Sequence, residues 1–301
     1  MEERTRTLRS DALLLLAAAI WGFAFVAQRA GMWYIGPFTF NGIRFALGAV
    51  TLIPFVRIDK NSCRLYEKRI FSPGILAGLA IFAGVSFQQI GLLYTTAGKA
   101  GFITGLYVII VPIIGIFLGK RTGIGVWLGA ILAIIGMYFL SIKSNFTMDR
   151  GDFLVFIGAF FWAIHVHLIG HFAPKVSPIK LAFLQFSTVS ILSLSVASIS
   201  EKILLSNIVK AWLPLIYAGV FSAGIAYTVQ VIAQREAHPS HAAIILSLEA
   251  VFAVLGGWLI LQETLNLKEG LGCVLMLSGM IVSQIYLASS ERKRKSSNEQ
   301  K

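Results

Sequence analysis

The stretch DALLLLAAAIWGFAFVAQ, residues 11–28, holds only apolar and small residues between its aspartate and its glutamine. Inside the chain, DFLVFIGAFFWAIHVHLI, residues 152–169, repeats the plan, with Asp152 and Trp162 at the places of Asp11 and Trp21. Each stretch is close to the roughly 20 residues that a helix needs to cross about 30 Å of hydrocarbon. Basic residues before the first stretch and small residues after it also suit a cleavable signal peptide. Its internal counterpart makes it a structural span instead.

Outward from these two stretches the repeat continues. An offset of 141 also pairs Pro37 with Pro178 and Phe45 with Phe186. An offset of 142 pairs Leu106 and Gly115 with Leu248 and Gly257, and 143 pairs Leu128, Gly129, Gly136 and Met137 with Leu271, Gly272, Gly279 and Met280. The Asp, Trp, Pro and Gly pairs carry the weight, because apolar matches arise easily in this composition. Of the 301 residues 56% are hydrophobic and 13% charged, with a mean hydropathy of +0.77. A soluble domain carries about 25% charged residues, so a water-soluble globule is excluded.

Breaks in the apolar pattern place spans at 11–29, 37–56, 71–94, 98–118 and 123–142, and again at 152–171, 178–199, 212–233, 240–261 and 268–288. Ten spans put both ends of the chain on one side. With the N-terminus inside, 18 Lys and Arg fall in inside segments, Lys60, Lys120, Arg121, Arg235 and the 292–295 run among them. Outside segments hold Arg29, Lys99, Lys143, Arg150, Lys202, Lys210 and Lys268, and Arg44 lies within a span. The excess assigns both termini to the cytoplasm. The same distribution accounts for the net charge of +12 through membrane topology, so no nucleic-acid partner is expected. Cys63 and Cys273 lack metal or disulfide spacing and read as free thiols.

Each repeat holds five spans. Five is odd, so the halves enter the bilayer in opposite orientations, the inverted arrangement of secondary transporters with their site between the halves. The expected fold is all-α integral membrane, ten transmembrane helices as two inverted five-helix repeats over 11–142 and 152–288, with a basic tail at 289–301.

The five-plus-five layout, the Trp21 and Trp162 pair, Asn41-Gly42-Ile43-Arg44-Phe45, Gly101-Phe102-Ile103-Thr104-Gly105-Leu106-Tyr107 and Leu246-Ser247-Leu248-Glu249-Ala250-Val251-Phe252 resemble the EamA-type branch of the drug/metabolite transporter superfamily. The resemblance covers nearly the whole chain. It implies two EamA repeats around a central cavity, no ATP hydrolysis, and transport of small metabolites such as amino acids, often as efflux. The family's ninth helix usually reads Leu-Glu-Pro, where this chain has Ala250. Its fourth helix often ends in Glu, where this chain has Lys120-Arg121, while Glu263 keeps the pattern in the second half.

Ionisable residues deep in a span are costly and so become functional candidates. Arg44 and Glu249 lie about eight and ten residues into their spans, roughly 12 to 15 Å deep at 1.5 Å per residue. Two readings stand: Arg44 holds an anionic substrate group while Glu249 meets an ammonium or carries a coupling proton, or the two pair with each other and lock helices. Trp21 and Trp162 sit mid-span, away from the interfacial belts that suit Trp33, Trp212 and Trp258; they either wall a pocket or pack against neighbours and lipid. Asn41, Gln89, Tyr107, Gln88, Gln185 and Gln230 must turn inward, toward substrate or toward another helix, since hydrocarbon offers amides no partner. His165 either lines the cavity near Trp162, where it could sense pH, or is a buried, hydrogen-bonded histidine. His167 and His171 share a face but lack further ligands, so no metal is expected. Asp11 and Asp152 read as helix caps, Gly74/Gly78 and Gly101/Gly105 as close-packing pairs, and Asn145-Phe146-Thr147 as a sequon too near the membrane to use.

The substrate-binding candidates are therefore Trp21, Asn41, Arg44, Gln89, Tyr107, Trp162, His165 and Glu249, with Glu249 the proton-coupling candidate. No cofactor is implied. The partners are a small-molecule substrate and the bilayer of the cell membrane, and a homodimer stays open. The expected function is alternating-access secondary transport of small polar metabolites such as amino acids, in the form of proton-coupled efflux. An intramembrane enzyme or a membrane sensor is the alternative, although no GxSxG, HExxH, Walker A loop or paired aspartates are present.

Overall fold

The computed structural model of the chain describes residues 2–58, 64–117, 124–141, 148–234, 242 and 245–299. Its elements are α1 (Glu2–Gly31), α2 (Pro37–Ile58), α3 (Arg64–Gly91), α4 (Ala97–Gly105), α5 (Tyr107–Phe117), α6 (Ile124–Ser141), α7 (Arg150–Phe172), α8 (Pro178–Ser200), α9 (Leu205–Lys210), α10 (Trp212–Ile216), a π-helix (Tyr217–Ala226), α11 (Tyr227–Ala233), α12 (Glu249–Leu261) and α13 (Leu267–Glu299). Among the described residues seven segments are long and apolar enough to cross a membrane: Leu8–Gly31, Pro37–Ile58, Ile70–Gly91, Ala97–Phe117, Arg150–Phe172, Pro178–Ser200 and Trp212–Ala233. Trp127–Leu140 and Glu249–Leu261 are apolar but shorter. Cys63, Lys60, Lys120, Arg121, Lys143, Arg235, the sequon and the first residues of the span placed at 240–261 lie outside the described residues, as do the side chains of the basic tail. Cys273 is a free, buried thiol.

Large apolar side chains cover the outer surface, as hydrocarbon solvent allows, and Trp33, Trp212 and Trp258 are all more than half exposed. The helix starts differ from the sequence reading in two places. α1 begins at Glu2, so Asp11 lies within it instead of capping it. Asp152 stands in the first turn of α7, behind the N-cap residue Asp149, where it accepts a hydrogen bond from the Thr95 hydroxyl at 2.5 Å. Its charge still suits the helix N-terminus, but its partner is the segment that precedes α4.

Glycines set the helix separations. A Cβ on Gly74 or Gly78 would meet α8 at Leu184 (2.5 Å) or Thr188 (2.6 Å), and one on Gly101 would meet Ala253 of α12 at 2.5 Å. These contacts also recur under the repeat offset. Gly78 approaches the Gln185 carbonyl of α8, and its counterpart Gly219 approaches the Arg44 carbonyl of α2, each with a Cβ-to-oxygen distance of 3.0 Å. Gly136 of α6 packs on the Gly272 carbonyl of α13 at 2.7 Å, and its counterpart Gly279 packs on the Gly129 carbonyl at 2.6 Å. Gly91 and Gly151 join α3 to α7, and Ser10 donates to the Ala233 carbonyl at 3.1 Å, joining α1 to α11.

One end of the bundle is closed by polar ties between the halves. Glu201, just past α8, accepts from the Phe38 and Thr39 amides, both at 2.8 Å, and from the Thr39 hydroxyl at 2.6 Å. Glu263 accepts from Ala97 and Gly98 at the start of α4, at 3.0 and 3.2 Å. Gln262, in the left-handed region at φ 56°, turns the chain after α12 so that Glu263 can reach. Lys99 pairs with Glu269 at 2.6 Å, and within the first half the Arg29 guanidinium donates to the Leu92 carbonyl. Each glutamate serves as a capping acceptor for a helix to which it does not belong, a geometry that satisfies otherwise orphaned amides. Replacing Glu201 with Ala is expected to lower stability by about 1 to 2 kcal/mol, the usual cost of losing an N-cap acceptor. Detergent-solubilised unfolding followed by circular dichroism measures this, and an unchanged midpoint would show that the tie carries no weight.

Candidate functional site

Two helices are tightened at equivalent points. In the first half the Leu106 amide bonds to the Ile103 carbonyl (3.2 Å), and Ile109 and Ile110 both bond back to Leu106 (2.9 and 3.1 Å). In the second, Leu248 bonds to Ile245 (3.2 Å), and Val251 and Phe252 bond back to Leu248 (3.0 and 3.2 Å), the same three bonds at an offset of 142. The residue after each turn is Tyr107 in one half and Glu249 in the other. Glu249 therefore opens α12 and does not lie ten residues into a continuous helix. Its carboxyl sits beside the Tyr107 hydroxyl, so the two equivalent residues face each other.

These residues border a partly open cavity. Trp21, Arg44, Tyr107, Trp162, His165 and Glu249 all line it. Arg44 is 2% exposed and Glu249 4%, and no salt bridge joins them among the described residues. The Arg44 guanidinium instead lies over the Phe45 ring at 4.8 Å, with Nε lacking a hydrogen-bond partner. Gln230 Oε1, on the same cavity, is also unpartnered. A buried polar atom without a partner is costly, and both would be satisfied by a polar guest.

The walls are held from behind. Gln88 accepts from Trp162 Nε1 at 3.0 Å and from the Thr104 hydroxyl at 3.4 Å, and donates to Gln28 Oε1 at 3.0 Å. Gly84, one turn before Gln88, leaves room for the indole, to which an added Cβ would come within 3.2 Å. Trp21 Nε1 donates to the Ser222 carbonyl in the π-helix at 3.3 Å. Both indoles thus point their N–H groups into protein and lie beside Tyr227, Trp21 tilted at a centroid distance of 4.6 Å and Trp162 stacked at 6.1 Å.

Two of the candidates stand elsewhere. Asn41 donates to the Val85 carbonyl of α3 at 3.2 Å, and Gln89 to the Gln28 carbonyl of α1 at 3.3 Å; both are fully buried helix-to-helix ties. His165 Nε2 bonds to Gln185 Oε1 at 3.1 Å, His167 Nε2 to the Val111 carbonyl at 2.8 Å, and Lys175 donates to His171 at 2.8 Å, so the three histidines serve separate partners. The sequence reading missed Tyr227, Gln28, Thr104 and Ser222 as cavity residues. For Tyr227 one signal was available: it stands three residues before the interior amide Gln230, on the same helix face.

The EamA-like transporter family model matches residues 8–142 and again 149–284. An uncharacterized transporter of Archaeoglobus fulgidus is 34% identical over 284 residues, 93% of this chain and 87% of its own. The uncharacterized transporter YoaV of Bacillus subtilis is 22% identical over 285 residues, covering 90% of this chain and 94% of that protein. A solved crystal structure superimposes with a TM-score of 0.70 at 17% identity, over 92% of this chain and 96% of its own, and so shares the fold.

Proposed function

Because this chain belongs to the EamA-like transporter family, a family of multi-pass membrane proteins, we propose that it is a secondary transporter that moves small polar metabolites of the amino-acid type by alternating access. One observation carries the reading: Arg44 and Glu249 line one cavity without pairing to each other. A zwitterion presents a carboxylate to the guanidinium and an ammonium to the carboxylate, and the unpartnered Arg44 Nε and Gln230 Oε1 gain partners from it.

The proposed topology is ten spans in two inverted halves, 11–142 and 152–288, in the cytoplasmic membrane with both termini inside. The contacts that recur under the offset support this, as do the equivalent tightened turns at Leu106 and Leu248, which place irregular backbone against the cavity as transporter sites do. On this topology the end tied by Glu201 and Glu263 faces outward and is shut. In efflux the substrate enters from the cytoplasm, and Glu249 takes part in proton coupling.

Purified protein in liposomes, offered a pooled set of amino acids and central metabolites with and without a pH gradient, tests the reading by mass spectrometry. Selective movement of one zwitterionic class, enhanced by the gradient, is expected. No movement of any compound by folded protein would overturn it.

A further inference from the structure

Resting on the transport reading above, we infer that Tyr227 is the specificity-determining residue of the cavity: its ring separates the Arg44 seat from the Glu249 seat and so limits the bulk of the substrate that bridges them. Tyr227 is buried at the start of α11 and is the hub of the aromatic cluster. Its ring centroid lies 4.6 Å from Trp21, 5.8 Å from Phe186, 6.0 Å from Phe45 and 6.1 Å from Trp162. Phe45 also carries the Arg44 guanidinium, so Tyr227 is one ring away from the cationic seat. It stands within electrostatic reach of both Arg44 and Glu249, which themselves form no ion pair.

The neighbours make the ring a divider more than a filler. The two indoles beside it are fixed by hydrogen bonds to Ser222 and Gln88, so the ring has rigid neighbours. Rigid neighbours convert the volume of the side chain beside them into a limit on what else fits. Under the repeat offset the position equivalent to Tyr227 is Ser86, so this bulk occurs in one half only. Tyr227 also follows directly on the ten-residue π-helix, a form rare in proteins and frequent at functional sites.

The test uses the full-length protein in liposomes, with the same pooled amino acids ranked by side-chain size, comparing wild type, Tyr227→Phe, Tyr227→Ala and Tyr227→Trp. Tyr227→Phe should keep the wild-type ranking, because the ring stays. Tyr227→Ala should shift flux toward bulkier compounds by about tenfold or more relative to the smallest, the discrimination that a change in pocket volume commands. Tyr227→Trp, which keeps the cluster aromatic and stands in should the alanine variant fail to fold, should shift it the other way. A wild-type protein that transports, with a ranking the size-changing variants leave unmoved, would overturn the role of Tyr227 alone. A folded wild-type protein that transports nothing would overturn the transport reading and this inference with it.

Discussion

Glu249→Gln is expected to slow flux through the reconstituted protein by about 10-fold to 100-fold, the loss of roughly 1.5 to 3 kcal/mol that follows removal of a charged hydrogen-bonding group. It is also expected to abolish any response to a pH gradient. Glutamine keeps the shape of the side chain and its contact with Tyr107 but carries neither charge nor exchangeable carboxyl proton. No ion pair with Arg44 occupies the carboxyl, so on the proposed reading it is open to the substrate. A fold defect is separable: circular dichroism and the elution profile in detergent should match wild type. Unchanged flux and an unchanged gradient response would remove Glu249 from the mechanism.

Gly151→Ala is expected to be the most damaging single-methyl change in the protein, costing about 3 kcal/mol or more, at the top of the range for overpacking. The added Cβ would lie 2.6 Å from the Gly91 carbonyl oxygen and 2.8 and 2.9 Å from backbone atoms of Tyr94 and Thr95. All three are backbone atoms, so no side chain can swing aside, and α3 must move away from α7 with Trp162 and its Gln88 seat. The contrast is Gly270→Ala near the start of α13, where nothing lies within 4 Å. There the greater helix propensity of alanine should add up to about 0.5 to 1 kcal/mol. Thermal unfolding in detergent distinguishes them; a Gly151→Ala midpoint equal to wild type would show that the helices are not held at this separation.

Much of this was legible in the sequence, for identifiable reasons. Charge is so costly in hydrocarbon that Arg44 and Glu249 announce themselves within their apolar runs, and the structure brings both to one cavity. The Trp21 and Trp162 pair was visible because tryptophan is rare enough for a constant offset to mean something. Asn41 and Gln89 carried two readings because an interior amide can meet a substrate or another helix, and their NH2 groups donate to the backbone carbonyls of Val85 and Gln28. For Tyr227 the spacing from Gln230 was the one signal, since an aromatic within an apolar run otherwise reads the same whether it meets lipid or a cavity. The π-helix leaves no compositional trace, because its altered register is fixed by packing against α2, where Gly48 meets Ala223 and Gly219 meets Leu47. Glu249 was placed mid-helix because the turn at Leu248 contains no glycine or proline to mark it.

The close contacts that recur between the halves also say something about ancestry. A pairing in which each half grips the other through the same surface is isologous, the interface of a two-fold dimer. In a dimer of identical chains every residue near the axis occurs twice, so a cationic seat would bring a second cationic seat with it. Here Arg44 corresponds to Gln185, and Glu249 to Tyr107, while Phe45 and Phe186 still meet in a tilted pair at 5.9 Å. The two repeats differ at these positions, so the symmetry is broken at the charges. Arg44 and Glu249 thus occur once each in the cavity lining, and on the proposed reading a zwitterion would sit there only one way round.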